Sequence, residues 1–164
     1  DEREELIKAM LKYMDPNKGT LFAQNVAFEK GRIKELASIF PKYKEDLLKL
    51  YERGFDLLWL VDTNSKMYEE LGYEEEDAKV FNFYDKRLSG SFSIKKTLPV
   101  FSDLSYANLD VKNGTEAIVE YANYPKMNKE EFNFKYQALI TYCKQDTWAM
   151  VVILEALRKL IKEK

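Results

Sequence analysis

The chain has 164 residues, of which 46% are hydrophobic and 33% are charged, and its net charge is −2. This composition is typical of a folded domain with a proper core, and it argues against a disordered chain or a broad basic surface. The chain contains no histidine and a single cysteine, Cys143. These counts exclude Ser-His and Cys-His catalysis, His-based metal sites and an internal disulfide. Any bound metal is therefore expected to have oxygen ligands, which favours Mg²⁺ or Mn²⁺.

The hydrophobic pattern of the first half predicts strands separated by helices. In chain order it predicts a helix over residues 2–14, a turn over 15–19, a buried strand over 20–23, a helix from Phe28 to Phe40, a helix over 43–53 and a strand over 55–61. The second strand is nearly continuous in apolar character, which is typical of a strand covered on both faces. Strands separated by helices indicate a βαβ arrangement with parallel pairing.

The second half is predicted to be helical after an irregular stretch. Residues 62–88 are interpreted as a possible insertion, with a short helix over 66–71 and an acidic loop over 74–77. Its aromatic side chains either stack bases or pack in the core: Phe81, Phe83 and Tyr84. Beyond it we predict a turn over 89–91, a helix over 93–98 ending before Pro99, and a helix after Gly114 with Ala117, Ile118 and Tyr121 inward. A long helix follows the capping box Asn128–Glu131, with Trp148 in the core and an inward apolar stripe of Met150, Leu154, Leu157 and Ile161.

Together these elements predict a helix-rich α/β fold with a short, mainly parallel sheet flanked by helices, and a single domain over residues 1–164. The chain opens in a charged helical pattern without methionine, so we interpret it as an excised piece of a longer protein. No apolar run has the length of a membrane-spanning helix and no signal peptide opens the chain. These features predict a cytoplasmic protein that does not enter membranes.

Polar side chains with chemical potential occur in two places. Asn25 and Glu29 directly follow the first predicted strand, where the carboxyl ends of parallel strands gather functional groups, and Glu29 falls in the first turn of a helix. Tyr142 and Asp146 are four residues apart and share one face of the last helix. A phenol beside a carboxylate suits a metal-bound water and a metal ligand.

These segments resemble known nuclease motifs. Asn25-Val26-Ala27-Phe28-Glu29 resembles the second motif of the DEDD 3′–5′ exonucleases, and Tyr142-x-x-x-Asp146 is similar to their third motif in the tyrosine-type branch. Segments around them, including Gly90–Pro99 and Leu104-Ser105-Tyr106, resemble an allied bacterial family of uncharacterised domains. The similar segments cover less than half of the chain, in the order that the family has them.

The resemblance implies a ribonuclease-H-like fold and hydrolysis of phosphodiester bonds by two Mg²⁺ or Mn²⁺ ions. It implies that Glu29 and Asp146 are metal ligands that meet in one pocket, that Tyr142 orients the attacking water, and that Asn25 and Phe28 contact substrate. The implied partners are a single-stranded DNA or RNA end and other domains of the parent protein.

The chain departs from the family pattern in two respects. It has Glu29 where most members have Asp, as the allied domains also do, and it lacks the first motif, an Asp-x-Glu at the end of an apolar strand. We therefore expect the missing ligands upstream of Asp1, or a degenerate domain, and little or no activity from these 164 residues alone.

Other interpretations of the same residues stay open. Lys95 and Lys96 either contact phosphates or are ordinary solvated lysines. In place of an enzyme, the chain is alternatively a noncatalytic α/β interaction module of a larger cytoplasmic protein. A purely helical protein-binding domain is a weaker alternative, which a parallel pair of strands would exclude.

Overall fold

The computed structural model describes residues 1–80 and 83–162. Its contacts divide the chain into two compact units, Asp1–Phe83 and Tyr84–Lys164. Within the described ranges, no helix is both long enough and apolar enough to cross a bilayer. That residues 1–164 form a single domain stays a prediction.

The first unit packs helices around a short sheet. Its elements are α1 (Glu2–Tyr13), β1 (Leu21–Ala23), α2 (Val26–Ile39), α3 (Lys44–Glu52), β2 (Gly54–Asp56), α4 (Ser65–Glu70) and α5 (Glu75–Ala78), with 3-10 turns at Pro41–Tyr43 and Leu57–Leu60. One buried cluster joins α1, α2 and α3 through Ile7, Ile33, Ala37 and Leu47. The apolar stripes that predicted these helices therefore face one another.

The two strands pair in parallel, with Leu21 opposite Gly54 and Ala23 opposite Asp56. The absence of a side chain at Gly54 lets α2 pack closely on β2, because a Cβ there would lie 2.7 Å from Cε of Lys30 and 3.0 Å from Cγ2 of Val26. The predicted parallel pairing and the helix-rich α/β class are confirmed, and a purely helical domain is excluded.

The predicted strand over residues 55–61 is wrong after Asp56. The chain turns there into the 3-10 helix Leu57–Leu60 because the Asp56 carboxylate accepts a hydrogen bond from the Leu58 N–H at 3.0 Å. Leu57 and Val61 are nevertheless buried. A run of buried apolar residues therefore looks the same in sequence whether it extends or coils.

The region predicted as a possible insertion contains more helix than expected. The acidic stretch predicted as a loop includes the short helix α5. Phe83 is partly buried and Tyr84 is exposed, while Phe81 lies outside the described residues. The interpretation of residues 62–88 as an insertion stays a prediction.

The second unit is helical. Its elements are α6 (Ile94–Phe101), α7 (Gly114–Asn123) and the 34-residue α8 (Lys129–Lys162), with 3-10 turns at Lys86–Leu88 and Tyr124–Lys126. A buried cluster of Leu98, Tyr106, Ala149 and Ile153 joins α6, the loop after it and the middle of α8. This packing fixes the loop against α8.

The helix predicted to stop before Pro99 continues to Phe101, so that prediction is wrong. Proline removes one N–H donor from the helix. Arg87 lies at the end of α6 that contains Pro99, and its guanidinium donates to the carbonyl oxygens of Pro99 at 3.1 Å and Val100 at 3.2 Å. Ser93 precedes the first residue of this helix and makes no side-chain cap bond.

Asn128 confirms the predicted start of α8, because its Oδ1 accepts hydrogen bonds from the N–H groups of Glu130 and Glu131. Four side chains expected to pack inward are instead exposed, at 71% for Ile118, 59% for Tyr121, 55% for Trp148 and 76% for Ile161. Helical periodicity identifies an apolar face but not whether another element covers it.

Candidate functional site

The residues predicted from sequence fall into two groups, one in each unit. Asn25, Phe28 and Glu29 lie where β1 leads into α2, whereas Lys95, Lys96, Tyr142 and Asp146 lie in the unit Tyr84–Lys164. The predicted meeting of Glu29 with Asp146 stays a prediction.

The turn between β1 and α2 is held by a buried carboxylate. Asn25 has a left-handed backbone, with φ of 69°, and its side chain makes no cap bond. Its N–H and that of Val26 each donate to Asp56 at 2.9 Å. Asp56 is 5% exposed. Asp56 was not predicted as a functional residue, although an acid inside a long apolar run was the available signal.

Phe28 and Glu29 occupy the first turn of α2. Phe28 is exposed, and the guanidinium of Arg32 lies 5.7 Å from the centre of its ring. Glu29 is partly buried. An exposed ring at the carboxyl end of a strand has room for a base to stack, so the predicted substrate contact of Phe28 is sterically open.

In the second unit, the structure brings two of the quoted motif segments into contact. The Tyr106 hydroxyl donates to Oδ1 of Asp146 at 2.7 Å. The rings of Tyr106 and Tyr142 meet edge to face, with centres 6.2 Å apart. Gln145 donates from Nε2 to the carbonyl oxygen of Ser105 at 2.8 Å. Asp146 is thus held by the neighbouring loop as well as by its own helix.

Both phenols of this cluster are neutral near pH 7. Burial, followed by the negative charge of Asp146, raises the pKa of Tyr142 to about 12. Burial and the hydrogen bond to Asp146 raise the pKa of Tyr106 above its ordinary value. A neutral phenol donates a hydrogen bond and does not act as a base, which agrees with a positioning role for Tyr142.

Tyr106 also lines a cleft of about 550 Å³. Its walls are formed by four cationic and four uncharged residues, namely Arg87, Lys95, Lys96, Lys112, Pro99, Ser105, Tyr106 and Ala107. Lys95 and Lys96 were the predicted phosphate contacts. Arg87, which is close to them in sequence, was assigned no role of its own, and Lys112 was missed because no sequence pattern links its loop to α6.

The acidic residues do not form a metal centre by themselves. In the described part of the chain, no three Asp, Glu, Cys or His side chains lie together in a way that could hold a metal ion. One oxygen of Asp146 already accepts the Tyr106 hydrogen bond. The described residues therefore do not fit the two-ion site that the resemblance implies, unless further carboxylates join them.

A second groove runs along α8. It has a volume of about 450 Å³ and is lined by side chains at helical spacing: Ile140, Cys143, Lys144, Thr147, Trp148 and Val151. Cys143 is exposed. This side of α8 is an apolar stripe open to solvent.

Comparison with known proteins identifies a family and a relative. Residues 1–93 match the family described as a domain of unknown function (DUF2779). Over 155 residues, the chain is 27% identical to a protein of Mycoplasma genitalium that is described as the uncharacterized protein MG366, and the match covers 85% of this chain. The chain spans about a fifth of the length of that relative. No solved structure matches the chain.

Proposed function

This chain belongs to the DUF2779 family, and we propose that it is part of an exonuclease-like nucleic-acid hydrolase domain with a ribonuclease-H-like fold. The observation that carries the proposal is the contact of Tyr106 with Asp146 beside Tyr142 and a lysine-lined cleft. That contact joins two segments that resemble the same family, at a surface suited to a phosphate chain.

Each residue has a stated part in the proposal. The Tyr106 hydroxyl fixes one oxygen of Asp146, and in the proposal Asp146 is a metal ligand. Tyr142 donates a hydrogen bond to a water and orients it, since a pKa of about 12 keeps its phenol protonated. In the first unit, Glu29 is assigned as a metal ligand, and Asn25 and Phe28 are assigned as substrate contacts.

The remaining ligands for Mg²⁺ or Mn²⁺ are assigned to an Asp-x-Glu pair that these 164 residues do not supply. Bound ions would activate the attacking water and stabilise the leaving oxygen. The 164-residue chain alone is therefore expected to have little or no activity. The substrate is a single-stranded DNA or RNA end.

The proposal is tested by Mn²⁺ titration with end-labelled single-stranded DNA and RNA. We expect no shortening by the 164-residue chain, and stepwise loss of 3′ nucleotides with a longer protein that contains it. Asp146→Asn in the longer protein should remove the activity, whereas Asp103→Asn, at an exposed acid outside the cleft walls, should retain it. A longer protein that binds Mn²⁺ and shortens neither nucleic acid would contradict the proposal.

A second candidate function is a noncatalytic α/β interaction module. The exposed apolar stripe along α8, with Trp148 at its centre, is the observation that favours it. The sequence preceding this segment in the parent distinguishes the two. An apolar strand ending in Asp-x-Glu supports the enzyme, and a parent without one supports the module.

A further inference from the structure

The cleft beside Tyr106 gathers positive charge from three parts of the second unit. Lys95 and Lys96 lie at the start of α6, Lys112 lies in the loop before α7, and Arg87 lies in the 3-10 turn before α6. In the described part of the chain, no carboxylate lines this cleft. A chain with a net charge of −2 therefore concentrates cations at one concave surface.

Arg87 is committed to the structure. Its guanidinium donates to both oxygens of Asp85, at 2.9 and 2.7 Å, and to the carbonyl oxygens of Pro99 and Val100. These bonds occupy its planar set of donors and neutralise its charge. Its contribution to the cleft is thus to hold the end of α6 in place.

The three lysines are different. Across residues 1–80 and 83–162, no ion pair involves Lys95, Lys96 or Lys112. All three are exposed. They leave about three uncompensated positive charges around a volume of about 550 Å³.

The carboxylates of Glu116 and Asp146 make their hydrogen bonds with groups other than these lysines. Glu116 accepts from the backbone N–H of Lys112 at 2.7 Å and from Nδ2 of Asn113 at 2.6 Å. Asp146 accepts from Tyr106 at the floor of the cleft. The ammonium groups of the three lysines are therefore available to an external anion.

We propose that this cleft holds consecutive phosphate groups of one nucleic-acid strand and delivers the strand to Asp146. The inference rests on the proposed function and specifies its substrate-binding surface. Lysine ammonium groups bind phosphate as point charges and fix the position of the backbone without reading sequence. The apolar part of the wall, at Pro99 and Ala107, contacts the sugars.

A single strand suits the cleft better than a duplex. The volume of the cleft lies within the range of sites for small ligands, about 300–1,000 Å³. Such a volume admits a few nucleotides of one strand. Because the lysines act through charge, the site is expected to bind DNA and RNA with little sequence preference and with strong dependence on salt.

The test is fluorescence anisotropy with a labelled single-stranded oligonucleotide in EDTA at several salt concentrations. The variant Lys95→Ala/Lys96→Ala/Lys112→Ala is compared with Lys126→Ala/Lys129→Ala/Lys159→Ala, which removes the same charge at exposed lysines outside the cleft. The cleft variant should bind several-fold more weakly than the control. Its slope of log K against log salt should fall by about 0.7 for each lysine removed.

Two results would overturn the inference. One is equal binding by the cleft variant and the charge-matched control, with both folded as judged by circular dichroism. The other is equal competition by polyglutamate, which would make the cleft a general anion site. Protection of Lys95, Lys96 and Lys112 from acetylation by bound oligonucleotide would support the inference without any substitution.

EDTA separates this inference from the proposed hydrolase function, because binding is then measured without metal-dependent cleavage. Loss of binding in the cleft variant, combined with a longer protein that never shortens nucleic acid, would keep the cleft and reject the hydrolase. If a longer protein shortens nucleic acid and its cleft variant binds like the control, the hydrolase function is kept and the role of the cleft is rejected.

Discussion

Asp56 is the residue on which the local geometry of the first unit most depends. Its carboxylate is buried and accepts hydrogen bonds from three backbone N–H groups, those of Asn25, Val26 and Leu58. Two of these donors open α2 and the third opens the 3-10 helix after β2. One side chain therefore ends a strand and positions the helix that carries Glu29.

Replacing Asp56 by alanine should lower the free energy of unfolding by roughly 2–3 kcal/mol, because a buried N–H without an acceptor costs about 1–3 kcal/mol. Asp56→Asn should cost less, since one amide oxygen can still accept. Urea denaturation followed by circular dichroism measures both. Asp62→Ala is the control, because among the described residues the Asp62 carboxylate accepts a hydrogen bond only from the N–H of Thr63. Equal stability of Asp56→Ala and the control would refute this role.

Tyr142 gives a prediction that depends on pH. Its pKa of about 12 exceeds the ordinary tyrosine value of about 10, so the folded state holds its proton where the unfolded state has lost it. The resulting stability is complete below pH 10 and is lost as the pH rises through 12.

The measurement is tyrosinate absorbance, taken as the difference between the wild type and Tyr142→Phe. Asp146→Asn should lower the pKa of Tyr142 by removing the negative charge beside its phenol. An unchanged titration in Asp146→Asn would mean that the two side chains are not neighbours in solution.

Among the elements, α8 is held in place by the packing of its middle rather than of its C-terminal end. Ala149 and Ile153 are fully buried against α6 and the loop that carries Tyr106, whereas Ile161 is exposed. The helix is about 50 Å long at 1.5 Å per residue, so much of it lies beyond this cluster. Its contribution to the cleft is to fix Tyr106 and Asp146 in contact.

Two isoleucines of α8 provide a matched comparison. Ile153→Ala should lower the free energy of unfolding by about 2–5 kcal/mol, through lost burial and a residual cavity. Ile161→Ala should change it by no more than about 0.5 kcal/mol. Thermal unfolding of both variants checks this, and a comparable loss for the two would contradict the packing of α8 against α6.

For the whole molecule, the sequence was sufficient to predict the structure wherever the local apolar pattern agrees with the packing. The helix α3 and the parallel pairing of β1 with β2 follow from apolar spacing and from the helices between the strands. It was insufficient where one side chain overrides the pattern, as Asp56 does when it converts an apolar run into a 3-10 helix. The exposure of Trp148 could not be predicted from the sequence either, because periodicity does not reveal whether a neighbouring element covers a helix face.

In the candidate site, too, local motifs were predictable from the sequence and long-range contacts were not. Lys95, Lys96, Tyr142 and Asp146 were identified from motifs, and the structure places the lysines on a cleft whose floor contacts Asp146. Tyr106 was part of a quoted segment but had no assigned role, because its bond to Asp146 joins residues 40 positions apart. Contacts over such separations depend on tertiary packing, which a single sequence does not display.

The central claim is that the end of a nucleic-acid strand lies in the cleft beside Asp146. Photocrosslinking with an oligonucleotide that carries a halogenated uracil at its 3′ end, followed by mass spectrometry of the crosslinked peptides, measures this position directly. We expect crosslinks to α6 or to the loop around Tyr106, and we expect them to disappear when unlabelled single strand competes. Crosslinks confined to other surfaces, such as the exposed stripe of α8 around Trp148, would contradict it.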